Sequence, residues 1–125
     1  MFRILAKTRR PDITFHKSGR IDIASYIARL LNIQKGDVID IAVTDGEYYL
    51  FVPTHCGCGR HEGVCFPSNN RAKKTNSFRA HSTRLCRSIL AVAGSNEKAC
   101  LPCGELCELS IGKAVPIIVK NDLKR

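Results

Sequence analysis

The stretch that decides the fold runs from residue 13 to residue 52 and reads ITFHKSGRIDIASYIARLLNIQKGDVIDIAVTDGEYYLFV. At its start, apolar residues alternate with polar ones on both sides of Lys17-Ser18-Gly19, which predicts a strand, a turn and a second strand. At its end, a second alternation surrounds Asp45-Gly46, a pair that suits the two central positions of a type I′ turn. The stretch therefore predicts two strand pairs separated by a short connecting segment.

The connecting segment is typical of a short helix. Apolar residues recur at helical spacing from Tyr26 to Leu31, and Ser25 stands where a side chain can cap the start of the helix. Asn32 can end it, because asparagine tolerates the left-handed backbone conformation found after many helices. Residues 34–37 then predict a turn into the second strand pair.

The last third of the chain repeats this order of elements. Ser82 can cap a second helix and Gly94 can end it. Residues 106–119 predict a second hairpin, with its turn at Gly112-Lys113. The unit of strand, helix and hairpin thus occurs twice in the sequence.

We interpret residues 12–52 and 77–120 as two diverged halves of a single domain that spans residues 1–125. Residues 53–76 contain three Gly, two Pro and the run Ser68-Asn69-Asn70, and are predicted to join the halves as a long loop. One half alone buries too little apolar surface to be stable, so we expect both halves to close on one core. The fold class predicted is α+β and β-rich.

Four motifs of the first half have the order and spacing of a known family: Lys17-Ser18-Gly19-Arg20, the helix Ile27 to Leu31, Gly36-Asp37 and the Asp45-Gly46 turn. Together they resemble the AbrB/SpoVT/MazE-like swapped-hairpin family of DNA-binding domains. The resemblance implies a small double-psi-like barrel built from two interleaved copies, supplied here by the two halves of one chain. It also implies that Arg20 and Arg29 contact DNA, and by the internal repeat Arg87 takes the place of Arg29.

The charge distribution points to the same class of partner. The chain has 20 Lys and Arg against 11 Asp and Glu, a formal net charge of +9, and residues 1–11 and 63–96 contain no acidic residue. Clustered cations favour polyanions, because they neutralise phosphates and release counterions. We therefore predict a duplex-DNA-binding protein with a regulatory role in transcription. The candidate contacts are Arg9, Arg10, Lys17, Arg20, Arg29, Lys73, Lys74, Arg84 and Arg87. For Arg20 an ion pair with Asp22 or Asp40 is the alternative.

Seven cysteines and four histidines raise the question of a metal. Cys56, Cys58, His61 and Cys65 lie close together in a Gly-rich stretch and could surround Zn²⁺, although their spacing is not that of a standard zinc motif. The alternative is that they are simple exposed thiols in a loop. Elsewhere, the repeat places Cys86 and Cys107 among the small core residues. Zinc is the one cofactor that the sequence suggests.

The sequence also excludes several classes of protein. It has no apolar stretch of the roughly 20 residues that a bilayer crossing needs and no block typical of a secretory signal, so we expect a cytoplasmic protein that does not contact membranes. It contains no phosphate-binding glycine loop and no nucleophile-elbow motif, and we predict no catalytic activity. A non-catalytic protein-interaction module of antitoxin type is the alternative function. The chain would act as a monomeric pseudo-dimer or as a homodimer.

Overall fold

Two antiparallel sheets and two helices make up the computed structural model, which describes residues 12–53, 63–67 and 77–119. The chain order alternates between the two sheets, so that each sheet takes strands from both halves of the sequence. The elements are β1 (Ile13–His16), β2 (Arg20–Ile23), α1 (Ser25–Leu30), β3 (Asp40–Thr44), β4 (Glu47–Phe51), β5 (Phe66–Pro67), β6 (Phe78–His81), α2 (Thr83–Ala93), β7 (Lys98–Leu101), β8 (Cys107–Leu109) and β9 (Gly112–Ile117).

The strand order is symmetric about the junction of the halves in the second sheet; in the first sheet it is so only when β7 is left aside and β5, from the stretch predicted as a loop, is counted with the second half. The first sheet runs β5-β6-β2-β1-β7, so the pair β2·β6 joins the halves, with β1 and β5 outside it. The second sheet runs β3-β4-β9-β8, where β4·β9 joins the halves. An internal repeat would produce the order of the second sheet, and the repeat itself stays a prediction from the sequence.

The predicted β-rich α+β class is confirmed. The described residues do not close into the predicted barrel. They form two separate antiparallel sheets whose edge strands each have one neighbour. One physical reason lies at β7, which no sequence pattern predicted. It pairs with β1 over Ile13↔Leu101 to His16↔Lys98 and so takes up the free edge of β1.

Several local predictions are confirmed by the backbone. Asp45 and Gly46 have φ of 51° and 78°, as a type I′ turn requires, and Asn32 has φ of 54° after α1. The Ser82 hydroxyl accepts a hydrogen bond from the Leu85 backbone N–H at 3.1 Å, and Gly94 ends α2 in the left-handed conformation. In these places short-range stereochemistry alone decides the structure.

Other local predictions are wrong. Ser25 is the first residue of α1 and not its cap; Ala24 precedes the helix and offers no side-chain acceptor. In the second hairpin, Leu109 pairs with Gly112, so the turn lies two residues earlier than predicted, and Gly112 itself starts β9 with φ of 116°. Gly112 is the residue that follows the turn, and this position of the hairpin needs a positive φ.

Within the stretch predicted as a loop, residues 63–67 are paired structure. Phe66 and Pro67 form β5 on the edge of the first sheet, and Val64 bridges Val38. Cys65 donates its backbone N–H to Asp37 and is completely buried. This segment therefore pairs on one side with β6 and on the other side with the connection between α1 and β3.

The core lies between the elements as one continuous apolar cluster. Both sheets and both helices contribute side chains that are almost fully buried, among them Phe15, Ile21, Ile27, Leu50 and Ile89. Successive side chains of a strand point to opposite faces of a sheet. The apolar side chains of the first sheet face the core, and its polar side chains therefore lie on the opposite face. Neither helix has the length or apolar character that a bilayer crossing requires, within the residues that the structure describes.

Candidate nucleic-acid interface

The polar face of the first sheet gathers arginine, lysine and histidine side chains from four strands. Arg20 on β2 lies opposite His81 on β6, and His16 on β1 lies opposite Lys98 on β7. Cross-strand partners share a face, whereas their sequence neighbours such as Ile21 and Phe15 point into the core. We call this surface the basic face; it comprises His16, Arg20, Arg79, His81 and Lys98, with the single acid Asp22 among them.

Asp22 lies at the centre of the basic face and accepts from three neighbours. Its Oδ1 receives the Nε–H of Arg79 at 2.9 Å, and its Oδ2 lies 3.2 Å from Nε of Arg20. The same Oδ2 is 2.8 Å from Nε2 of His16. A contact this short with a carboxylate requires Nε2 to carry the proton, so His16 donates to Asp22. One carboxylate therefore holds side chains from β1, β2 and β6 together.

The protonation of Asp22 follows from these contacts. Its partial burial by itself raises the pKa of the carboxyl group, because desolvation disfavours the charged form. The hydrogen bonds from Arg79 and His16 and the nearby charge of Arg20 outweigh that effect, and the pKa of Asp22 lies below its ordinary value. The carboxylate is therefore ionised throughout the neutral range.

Arg20 is placed on the sheet face that the DNA hypothesis needs, but it also has the intramolecular partner that the sequence offered as an alternative. Its Nε faces Asp22, and one terminal nitrogen lies 3.3 Å from Nε2 of His16. Its side chain nevertheless remains 45% exposed. The guanidinium group is thus held in position without being removed from solvent.

Lys17 and Arg87 line the same cavity at one end of the first sheet. The sequence alone did not predict that these two residues are neighbours. Both line a cavity of about 360 Å³ between α2, the turn after β1 and the segment before β7. Thr83, Ser95 and Asn96 add polar atoms to its wall. We call this cavity the Lys17–Arg87 cleft; two cations beside hydroxyl and amide groups make it suitable for a phosphate-bearing ligand.

Two backbone features position this cleft. The Lys17 N–H donates to the carbonyl of Glu97 at 2.8 Å, which fixes the β1–β2 turn against the segment that leads into β7. Gly19, with φ of 103°, allows the turn to lie close to His81 and Thr83; an added Cβ would stand 2.7 Å from Nε2 of His81. Only glycine combines that φ with so close an approach.

The remaining predicted contacts are more dispersed. Arg29 lines a different cavity, of about 310 Å³, beside Asn32 and Phe78. Arg84 is exposed on α2, three residues before Arg87. Arg9, Arg10, Lys73 and Lys74 lie outside the described residues. The structure thus brings Lys17 and Arg87 together and leaves Arg29 apart from them.

Sequence reasoning missed the part that Arg79, His81 and Lys98 take in the basic face. The signal was present for β6, where Phe78-Arg79-Ala80-His81 alternates and its buried residue, Ala80, is small. Lys98 gave no such signal, since β7 is recognisable only by its pairing with β1. These three side chains share a surface because of long-range strand pairing, which no local pattern encodes.

The cysteines within the described part of the chain have no metal-binding arrangement. Cys65, one of four candidate zinc ligands, is fully buried, and burial together with the charge of Asp37 raises its pKa to about 12. No group of three or more potential ligand residues lies close together among the residues described. The other three candidates, Cys56, Cys58 and His61, lie outside those residues, so a zinc site there stays a prediction.

The two cysteines assigned to the core differ in their environment. Cys86 is almost completely buried on α2, as predicted, and burial raises the pKa of its thiol to about 11. Cys107 is only half-buried; it lies opposite Ala114 in the second hairpin and donates to the carbonyl of that residue. It is therefore not one of the small core residues, and the prediction for Cys107 is wrong.

Comparison of the chain with protein-family models, with characterised proteins and with solved structures finds no match. The likeness of residues 13–52 to the swapped-hairpin family therefore stays a prediction from the motifs. Function has to be argued from the geometry of the basic face and of the Lys17–Arg87 cleft.

Proposed function

We propose that this chain binds duplex DNA through the basic face and the Lys17–Arg87 cleft, and that it regulates transcription by doing so. The observation that carries the proposal is that cations from both halves of the sequence share one exposed sheet face. Lys98 and Arg79 come from the second half, and Arg20 from the first. A surface of this kind matches a continuous row of phosphates better than it matches a single small ligand.

A duplex is favoured over a single strand because of what the surface lacks. Single-strand binders stack bases on aromatic side chains, usually several in succession. On the described part of this face the aromatic residue is Phe66, which lies opposite Arg79 and is exposed. Cations held on rigid strands, with one aromatic side chain among them, suit backbone contacts and groove insertion of a sheet.

The net charge also predicts how binding depends on salt. The five cations Lys17, Arg20, Arg79, Arg87 and Lys98 set an upper limit: if each neutralises one phosphate, the plot of log affinity against log salt concentration has a slope of about −4.5. If DNA were attracted only by the overall charge of +9, its affinity for the chain would depend little on which cation is removed. This difference separates a defined interface from a basic surface.

The test is a titration of a fluorescent 20-base-pair duplex, followed by anisotropy at several salt concentrations. We expect the Lys17→Ala/Arg87→Ala variant to bind more weakly and to reduce the slope by about 1.8, since two phosphates are no longer neutralised. The matched control is Lys35→Ala/Lys113→Ala, which removes the same charge from exposed positions outside the interface. Absence of binding at low salt, or equal slopes for both double variants, would contradict the proposal.

We also propose that the chain is an intramolecular pseudo-dimer of the swapped-hairpin type. The symmetric strand order of the second sheet supports this, as does the pairing of β2 with β6 and of β4 with β9. In such an arrangement one chain supplies both halves of a two-fold interface. The monomer should then be the species that binds DNA, which sedimentation of the complex at varied protein concentration would test.

A second candidate function is a protein-interaction module, and exposed apolar residues of the second sheet favour it. Val43 on the edge strand β3 is 59% exposed, and Ile111 and Ile118 are also exposed although they are large and apolar. Surfaces of this kind often meet another protein. Self-association that is lost in Val43→Asp, together with no affinity for DNA at low salt, would favour this candidate over the first.

A further inference from the structure

We infer that Asp22 competes with the phosphate groups of the bound polyanion for Arg20 and Arg79, and that it limits the affinity of the basic face by holding these two side chains. This inference rests on the proposed function, because it concerns the ligand of the same surface. It goes beyond that function by assigning an affinity-setting role to an acidic residue inside a cationic interface.

The geometry of the three side chains supports competition. Asp22 engages each arginine through Nε only, at 2.9 Å for Arg79 and 3.2 Å for Arg20. Within the residues described, the Arg79 side chain makes no other hydrogen bond, so its terminal N–H groups are available to a ligand. A phosphate has the same charge sign and acceptor chemistry as a carboxylate and prefers a paired contact with a guanidinium edge. Each arginine can therefore turn from Asp22 towards a phosphate.

The position of Asp22 makes this exchange sterically feasible. Its side chain is 33% exposed, and those of Arg20 and Arg79 are 45% and 39% exposed, so all three polar groups reach the solvent. An ion pair in water-exposed surroundings contributes little to stability, so the fold does not depend on keeping it. Asp22 and Arg79 are also direct cross-strand partners, which places the acid in the middle of the surface that a polyanion would cover.

The charge balance gives the direction of the effect. Arg20 and Arg79 contribute two positive charges and Asp22 removes one, while His16 shares the same carboxylate oxygen through a hydrogen bond. Replacing the carboxylate by an amide leaves both arginines in place and removes the anion that repels an incoming phosphate. The neutral variant should therefore bind more tightly and with a steeper salt dependence than the wild type.

The experiment compares Asp22→Asn with the wild type in the duplex titration. We expect the dissociation constant to fall on the order of tenfold, which is what one charge-assisted hydrogen bond contributes. The slope against salt should steepen by about 0.9 for each additional phosphate that the released arginines neutralise. The matched control is Asp45→Asn, which removes the same charge from the turn of the first hairpin, where asparagine keeps the required backbone conformation.

Further variants test whether the gain in affinity depends on the two arginines. In an Arg20→Ala/Arg79→Ala background, Asp22→Asn should bring no gain beyond that of Asp45→Asn, since no arginine remains to be released. Asp22→Thr, a residue that suits a strand, replaces Asp22→Asn if the amide variant does not fold as judged by circular dichroism. Equal gains for the variants at positions 22 and 45, with wild-type binding intact, would overturn this inference alone. Absence of any wild-type binding would overturn the proposed function and the inference with it.

Discussion

Leu50 on β4 and Val115 on β9 lie directly opposite each other, and both side chains are completely buried. Each is the fourth residue after its own hairpin turn, Asp45-Gly46 in one case and Ser110-Ile111 in the other. A two-fold relation between the hairpins would place equivalent residues opposite each other in this way. The pair joins the two halves of the sequence at the centre of the second sheet.

Leu50→Ala should therefore destabilise the whole domain and not only one hairpin. Removing a fully buried leucine side chain costs about 2–5 kcal/mol in the free energy of unfolding, because transfer and cavity terms add. Urea denaturation followed by circular dichroism measures this loss. Val43→Ala, an equally apolar but mostly exposed site on β3, is the control and should change the midpoint little; similar losses at both sites would contradict the assignment of the core.

Gly19→Ala tests the close approach of the β1–β2 turn to α2. The backbone strain of positive φ costs on the order of 1–3 kcal/mol, and the new Cβ would also meet His81 and Thr83 within 2.9 Å. Gly36→Ala is the matched control, because Gly36 has a similar φ of 94° with no atom within 4 Å of the new Cβ. We expect the Gly19 variant to lose more stability in urea. Equal losses would mean that the two side chains move aside freely.

Asp22 should add a small acid sensitivity to the folded state, because its ion pairs are exposed to solvent. Because the pKa of this carboxyl group is lowered on folding, its contribution to stability is present above its unfolded pKa of about 3.9 and is lost as the pH falls through the lower folded value. Unfolding in urea at pH 5 and at pH 3 should therefore show a smaller decrease for Asp22→Asn than for the wild type. An identical decrease for both proteins would argue against an ion-paired Asp22.

The cysteines should differ sharply in reactivity. Burial raises the pKa of Cys65 to about 12 and that of Cys86 to about 11, whereas Cys100 is exposed on β7. At pH 8 iodoacetamide should modify Cys100 in the folded protein and reach Cys65 and Cys86 only after denaturation, since the thiolate is the reactive form. Peptide mapping by mass spectrometry reads each site separately. Modification of Cys65 as fast as Cys100 would show that its surroundings open readily.

The parts of the fold that the sequence predicts are those set by residues close together in the chain. Asp45-Gly46, Asn32 and the Ser82 cap each act within a few residues, and the alternation around Lys17-Ser18-Gly19 is a property of one strand pair. Local stereochemistry determines these features, and a pattern along the chain therefore reveals them.

What the sequence could not predict is decided by contacts between distant segments. Strand β7 has only Ala99 and Leu101 on its inward side, too weak an alternation to recognise, and it forms because β1 offers a free edge. The basic face depends on the same pairings, as Arg79 reaches Asp22 across 57 positions of sequence. Charge composition predicts that such a surface exists, but not which cations meet on it.

The interleaving of strands has a consequence for synthesis of the protein. When a ribosome has released the segment up to Val52, β2 and β4 both lack the neighbours that β6 and β9 later provide. The first sheet cannot be completed before β7 has emerged, which ends at Leu101, and the second sheet cannot be completed before β9, which ends at Ile117. Unpaired edges exposed for that interval invite contact with other nascent chains, so we expect yield in the cell to depend on translation rate and on chaperone supply.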